Sequence, residues 1–443
     1  MEKSLDIPIT ASSMVRFALP TIGAQVFMSI YSMIDSLFVA NLVGTDALSA
    51  VNIVMPALMI IMAISTMLGQ GGRALVSAQL GAGETLVARQ NFSLVTAVSF
   101  VSSAILAVLG LVFLNPLLGI LGANDQVLQL CREYAVPLFT IIPLAMLGMV
   151  FDTFFIAEGR PGVGSGLSVA GGITNIVLDW LFIAVLDWGV AGAAWATGIG
   201  YSISAVGGLV YFAFHRTGHL FLVRPVFRGR ALLKMSTNGA SEMVMMLSGS
   251  VVNIVMNNIM IRLAGADGVA AIAVVVYAES LLTALYYGYD YGVSALASYN
   301  FGKGDTENLR AYFRINMRIT ILAGVVISVA SFALAWPLTA IFARPDTNVF
   351  NMAVGGFRIV AISFLFMGVN DFASSFFTAL NDGKSSGIIA FIRTFVLSLA
   401  TLVVFSALWG VAGVWAALPA AEALSLIVSV GFLVRKRKVF NYA

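Results

Sequence analysis

The chain has 443 residues, of which 60% are hydrophobic and 10% charged, with a formal net charge of +3 and a mean hydropathy of +0.96. A soluble core of this size could not bury so much apolar surface, so soluble domains are excluded and the surplus must face lipid. The apolar stretches are each about 20 residues long, which suits helices crossing a hydrocarbon core of about 30 Å better than barrel strands.

These stretches predict an all-α integral membrane protein with twelve transmembrane helices. In chain order, the predicted spans are 14–40, 48–72, 92–114, 134–157, 166–186, 190–214, 237–263, 270–299, 312–336, 354–379, 387–408 and 412–434.

Basic residues are distributed unequally between the two ends of the predicted spans. Twenty of the 24 lysines and arginines fall on the side that would carry both termini, and the four opposite are Arg132, Arg262, Arg344 and Arg358. The positive-inside rule then predicts that both termini are cytoplasmic. Short basic clusters beside spans set topology or contact anionic lipid, so we expect membrane lipid and no nucleic acid as a partner.

The chain contains an internal repeat. A shift of 221 residues aligns Gly44 with Gly265, Arg89 with Arg310 and Pro116 with Pro337 without a gap. Matched glycine, proline and arginine at one offset indicate duplication rather than chance. Six helices in each half keep the same orientation, which predicts two lobes related by a pseudo-two-fold axis along the membrane normal.

The repeat predicts a six-helix lobe at 1–214, a cytoplasmic linker at 215–236 and a second six-helix lobe at 237–443. Lobes of this kind enclose a central cleft, and rocking one against the other gives alternating access. A static scaffold is the alternative reading of the duplication.

Several stretches resemble the MATE family, the multidrug and toxic compound extrusion transporters. They are ALPTIGAQ, YSMIDSLFVANLVGTDALSAV, GQGGRALVSAQLGAGE, TNIVLDWLFI, GVAGAAWATGIGYSIS and YGVSALASYNFGKGD. The resemblance implies a V-shaped central cavity and export of amphipathic organic cations in exchange for Na⁺ or H⁺. It also implies a bacterial or archaeal plasma membrane. The expected protein is a multi-pass monomer that needs no cofactor.

Polar residues inside the spans are the candidates for ion coupling. An ionised Asp35 in the first span costs at least ~2.5 kcal/mol unless it is paired, hydrated or protonated, and Pro20 should bend the helix that carries it. Asn175 and Asp179 lie four residues apart on one helix face, where an amide oxygen and a carboxylate can hold Na⁺ or a proton together. Thr197 could add a hydroxyl oxygen.

In the family pattern, Asp35, Asn175, Asp179 and Thr197 match a first-lobe cation site. Apart from Na⁺ at these four residues, no metal site is expected. The alternative reading for Asn175 and Asp179 is hydrogen bonding between helices.

The second half carries further acids within its spans, at Glu242, Glu279, Asp290 and Asp371. Asp371 fits a coupling position in the tenth helix of one branch of the family, whereas Glu242 lies too near the start of the seventh helix. These acids could instead attract cationic substrates to the cavity, or serve packing. Glu422 and Arg393 could form a pair, unless Arg393 reaches the membrane interface.

The favoured function is therefore secondary multidrug antiport. The GAG and GKG turns lack the Walker pattern, which argues against a nucleotide-driven pump. A flippase for lipid-linked precursors is the alternative, although such substrates call for a cationic cavity. An intramembrane enzyme would need a motif such as HExxH or GxSxG, and the sequence has neither.

Overall fold

The structure is a computed structural model that describes residues 5–38 and 43–443, without the side chains of 35–38 and Thr45. Within these ranges all regular elements are helices. The first half contains α1 (Ala11–Phe38), α2 (Thr45–Gly81), α3 (Thr85–Val112), α4 (Leu114–Ile120), α5 (Leu128–Ala157), α6 (Pro161–Asp179) and α7 (Gly189–Phe214). A π-helical segment, Trp180–Val185, extends α6.

The second half begins with α8 (Gly229–Lys303), followed by α9 (Thr306–Ala333), α10 (Ala335–Phe342), α11 (Asn348–Val360), α12 (Phe364–Ala379), α13 (Gly383–Phe391), α14 (Ser398–Trp409) and α15 (Val411–Phe440). A 3₁₀ segment, Ala361–Ser363, joins α11 to α12, and a π-helical segment, Ile392–Leu397, joins α13 to α14.

The described helices provide twelve membrane crossings. Eleven are long and apolar enough to cross a membrane, and one of these is the 75-residue α8. At 1.5 Å per residue α8 would be about 110 Å long, several times the bilayer thickness. It is two helices that meet at Gly265, whose φ of 64° and ψ of −152° are not helical. The predicted twelve-helix fold is confirmed.

The duplication is visible in the backbone as well as in the sequence. Gly44 precedes α2 with a φ of 114°, at the position equivalent to Gly265. Gly189 and Gly410 are also equivalent, and their φ values are 56° and 57°. Only glycine adopts such conformations without steric cost, so both halves reverse direction at the same places.

The two lobes approach each other most closely near one end of the bundle, which we call the linker end because residues 215–228 lie there. A Cβ atom on Gly71 of α2 would lie 2.7 Å from the amide nitrogen of Gly239 in α8. At Gly288 of α8, a Cβ would lie 2.5 Å from the Cα of Ile22 in α1. Backbone therefore packs directly on backbone, which closes the space between the lobes at this end.

The segment 215–228 is held against the first lobe by buried hydrogen bonds. The Glu158 carboxylate accepts from the backbone amides of His219, at 2.9 Å, and Leu220, at 2.6 Å. Arg89 donates from Nε to the carbonyl of His219 at 2.8 Å. Burial raises the pKa of Glu158 to about 7, against the effect of these amides and of Arg160 and Arg89. The predicted linker 215–236 includes the first turns of α8, because that helix begins at Gly229.

Candidate functional site

A cavity of about 530 Å³ lies between the two lobes. The first lobe contributes residues from α1, α2, α5, α6 and α7, and the second lobe from α8 and α12. Apolar and aromatic side chains form much of the wall, including Met28, Met62, Met245, Met246 and Tyr287. Thioethers and aromatic faces suit organic cations of varied shape.

Four carboxylates line this cavity: Asp152 from the first lobe and Glu242, Asp290 and Asp371 from the second. Asp152 accepts a hydrogen bond from Ser168 Oγ at 2.8 Å through Oδ2. Its Oδ1 is buried without a hydrogen-bond partner, and so is the Oδ1 of Asp290. Buried acceptors in this state favour a positively charged or hydrogen-bond-donating occupant.

Arg73 of α2 joins the two lobes at the cavity. Its Nη1 donates to the carbonyl of Tyr291 in α8 at 2.8 Å, and its guanidinium lies 4.9 Å from the centre of the Tyr291 ring. Only 5% of the residue is exposed. The sequence analysis counted Arg73 as a surface charge that sets topology, and this was wrong because the side chain turns inward between the lobes.

The structure brings three of the predicted coupling residues together in the first lobe. Asn175 and Asp179 occupy successive turns of α6 and are 1% and 0% exposed. Asn175 Nδ2 donates to Thr197 Oγ1 of α7 at 3.3 Å, and Asn175 Oδ1 is buried without a partner. The helices can approach this closely because Gly171 and Gly200 face each other between them.

The helix geometry after Asp179 is also unusual. The π-helical segment begins at Trp180, directly after the aspartate. Such insertions into α-helices are frequent at functional sites because they redirect side chains locally. The donor set of an amide oxygen, a hydroxyl and a carboxylate suits Na⁺ or a proton.

Asp35 lies in α1, but its side chain is outside the part of the chain that the structure describes. Pro20 lies inside the same helix. The involvement of Asp35 in the site, and bending at Pro20, stay predictions.

In the second lobe, Asp371 belongs to a buried ion cluster. Arg393 Nε lies 2.9 Å from Oε1 and 3.1 Å from Oε2 of Glu422, and its Nη1 pairs with Asp371 Oδ1. Asn370 Nδ2 donates to Glu422 Oε2 at 2.7 Å. The predicted pairing of Glu422 with Arg393 is confirmed. Arg393 is 4% exposed, so it was wrongly counted among the surface charges.

The second-lobe acids therefore fall into two groups. Glu242 and Asp290 border the cavity and have no ion-pair partner in the described residues, whereas Asp371 is paired. Glu279 is partly buried and is not among the described residues that line the cavity. Sequence reasoning missed Asp152, although an acid within the predicted span 134–157 was a signal that could have identified it.

Twelve membrane-crossing helices in two lobes around a polar cavity define a transporter rather than an enzyme. The MatE family profile matches residues 20–181 and again 242–404, so the chain belongs to the MatE family. The double match agrees with the internal repeat.

Relatives and solved structures extend over nearly the whole chain. The "Multidrug export protein MepA" of Staphylococcus haemolyticus (strain JCSC1435) is 24% identical over 94% of this chain and 92% of its own. MepA of Staphylococcus aureus (strain MRSA252) is 24% identical over 96% of this chain and 94% of its own.

Among solved structures, "Crystal structure of MATE in complex with MaD5" has a TM-score of 0.92 at 20% identity, covering 100% of this chain and 99% of that one. "Outward-facing conformation of a multidrug resistance MATE family transporter of the MOP superfamily" has a TM-score of 0.89 at 21% identity, covering 98% and 97%. These structures share the fold.

Proposed function

We propose that the protein is a secondary active multidrug exporter that exchanges organic cations for H⁺ or Na⁺ by alternating access. The observation that carries this proposal is the acidic cavity between the lobes, where Asp152, Glu242 and Asp290 stand among methionines and tyrosines. Carboxylates in a low-dielectric cleft concentrate cations, and the apolar wall accepts their hydrophobic parts. The printed names of the MepA relatives point to the same activity.

We infer that the coupling ion uses the first lobe, through Asp35, Asn175, Asp179 and Thr197. Asn175 Oδ1 is a buried acceptor that an ion or a proton donor could satisfy. One elementary charge moving down 100 mV provides about 2.3 kcal/mol, which is enough for roughly 50-fold substrate accumulation.

The second lobe is less suited to binding a transported ion. Arg393 already supplies positive charge to Asp371 and Glu422. A fixed guanidinium satisfies these carboxylates permanently, so an incoming cation gains little there. Glu242, Asp290 and the free oxygen of Asp371 then serve the substrate rather than the coupling ion.

The flippase alternative is disfavoured by the charge of the cavity. A pyrophosphate-linked lipid would bring negative charge next to four carboxylates, and like charges at close range repel. Tight binding of such a lipid would nevertheless move the flippase to first place.

The arrangement in the cell forms part of the proposal. We propose a bacterial or archaeal plasma membrane protein that works as a monomer with lobes at 1–214 and 237–443. Both termini would be cytoplasmic, so the linker end faces the cytoplasm. This orientation follows from the positive-inside bias, which holds after Arg73 and Arg393 are removed from the count.

The test uses purified protein in proteoliposomes loaded with a fluorescent organic cation. Efflux is measured under an imposed Na⁺ gradient and, separately, under a pH gradient of matched size. Wild-type protein should export the dye under one gradient, and Asp35→Asn and Asp179→Asn should abolish this export.

A matched control is Asp187→Asn. Asp187 is an exposed residue outside the cavity with a φ of 53°, a conformation that asparagine tolerates. This variant should transport normally. Equal export by Asp35→Asn and wild type would refute coupling through the first lobe, and export without any gradient would refute antiport altogether.

A further inference from the structure

Helix α9 carries a row of arginines that the transport site does not use. Arg310, Arg314 and Arg318 are spaced four residues apart and all three are exposed, so they form one stripe along the helix. Arg318 lies about 18 Å along the axis from the start of α9 at Thr306. This is deep for a charge on a membrane-crossing helix.

The row faces away from the protein interior. The buried face of α9 consists of residues such as Tyr312, Asn316 and Thr320, which lie on the opposite side of the helix from Arg314 and Arg318. Further along the arginine side, Leu322 is 66% exposed and Val329 is 64% exposed. The same face therefore changes from arginine to lipid-facing aliphatic residues.

The internal repeat shows that the fold does not need these charges. The positions equivalent to Arg310, Arg314 and Arg318 in the first lobe are Arg89, Ser93 and Ala97. Ser93 instead accepts a hydrogen bond from the amide of Val223 at 2.9 Å, within the linker contact. The second and third arginines are thus particular to the second lobe.

The arginines border a groove that the rest of the chain has already shaped. It has a volume of about 560 Å³ and is also lined by Phe313, Met317 and Tyr442. The Tyr442 hydroxyl donates to the carbonyl of Leu433 at 2.7 Å, and Arg310 Nε donates to that of Asn441 at 3.0 Å. These bonds fix the wall, so an occupant would not have to order it.

No acidic side chain in the described ranges pairs with Arg314 or Arg318. Unpaired guanidinium groups next to hydrocarbon are costly, and an anion held between them would lower that cost. Phosphate geometry matches the guanidinium fork. The aliphatic stripe beyond Arg318 lies where acyl chains would follow from a headgroup.

We propose that the groove of Arg310, Arg314 and Arg318 binds the headgroup of an anionic phospholipid, with its acyl chains along the exposed face of α9. The two outer arginines would hold the phosphate while Arg310 keeps the wall at Asn441 in place. This lipid site is separate from the transport cavity, and its test does not depend on transport.

The test measures lipid retention by the full-length protein, with any purification tag at the N-terminal side so that Tyr442 keeps its place. Native mass spectrometry follows titration with phosphatidylglycerol and, in parallel, with phosphatidylcholine of the same chains. Phosphatidylglycerol should bind wild type more tightly, and Arg314→Gln/Arg318→Gln should weaken this binding roughly 30-fold.

The matched control is Arg230→Gln/Lys234→Gln. These two basic residues have the same four-residue spacing on α8, are exposed and lie at the linker end. This control should retain lipid like wild type. Equal loss in both double variants would mean general charge attraction and would overturn the site, as would equal binding of the two lipids.

Two further arms keep the question decidable. Inorganic phosphate is added at millimolar concentration, and displacement of the lipid by phosphate alone would replace the lipid proposal with a simple anion site. A photoactivatable phosphatidylglycerol is also crosslinked to wild-type protein, so that the result does not depend on a variant folding. Labelling should fall within 306–333, and labelling confined to other helices would refute the proposal.

Discussion

The buried cluster of Arg393, Asp371 and Glu422 provides a direct test of how the second lobe is held together. Arg393→Met keeps a long apolar side chain but removes the charge between two carboxylates. Arg393 and its partners are each about 5% exposed, so little water can replace the guanidinium. Both acids then compete for the same few donors.

The expected loss follows from the bonds that disappear. Two contacts to Glu422, at 2.9 and 3.1 Å, and the pairing with Asp371 are lost together. Removing one partner of a buried ion pair leaves an uncompensated charge and costs about 3–5 kcal/mol. Asn370 still donates to Glu422 at 2.7 Å and should keep the loss nearer the lower value.

The free energy of unfolding is measured by SDS titration of the protein in mixed micelles. Arg435→Met is the control, because Arg435 is an exposed arginine on α15 and should change stability by less than about 0.5 kcal/mol. Replacing Asp371 and Glu422 by amides in the Arg393→Met background should recover most of the stability, since no buried charge then remains. A loss below about 1 kcal/mol for Arg393→Met alone would refute the cluster's structural role.

Two other features of the structure predict measurable effects. Gly71→Ala should cost about 1–3 kcal/mol of unfolding free energy in the same titration, because the new Cβ would lie 2.7 Å from Gly239 N. Gly249→Ala, where a Cβ meets nothing within 4 Å, should be neutral or stabilising, and equal effects would refute direct backbone packing between the lobes. For Glu158, burial raises the pKa to about 7 from an ordinary value of 4.5, so linker docking is most stable at low pH and weakens as pH rises through about 7. Tryptic cleavage within 215–228, corrected for the pH dependence of trypsin on a reference peptide, should therefore increase between pH 5 and 8 in wild type. The same dependence in Glu158→Gln would contradict this assignment.

The pattern of single residues along the chain explains which parts of the site sequence could predict. Asn175, Asp179 and Thr197 were identifiable because polar groups inside a hydrocarbon-length span are costly and stand out from their neighbours. The spacing of Asn175 and Asp179 fixed their common face without any tertiary information. Their approach to Thr197 depended on the close contact of α6 and α7 at Gly171 and Gly200, which only the structure shows.

Sequence by itself determined the membrane class, the number of crossings, the duplication and the family, because hydropathy, span length and residue offset are properties of the linear chain. It could not determine the direction of a side chain around a packed helix. Arg73 and Arg393 looked like interfacial charges, and both turn inward. Asp371 looked like a free coupling acid, and Arg393 pairs with it. Tertiary structure decided these points because the charge on a buried carboxylate depends on which partner a distant helix brings within a few ångströms.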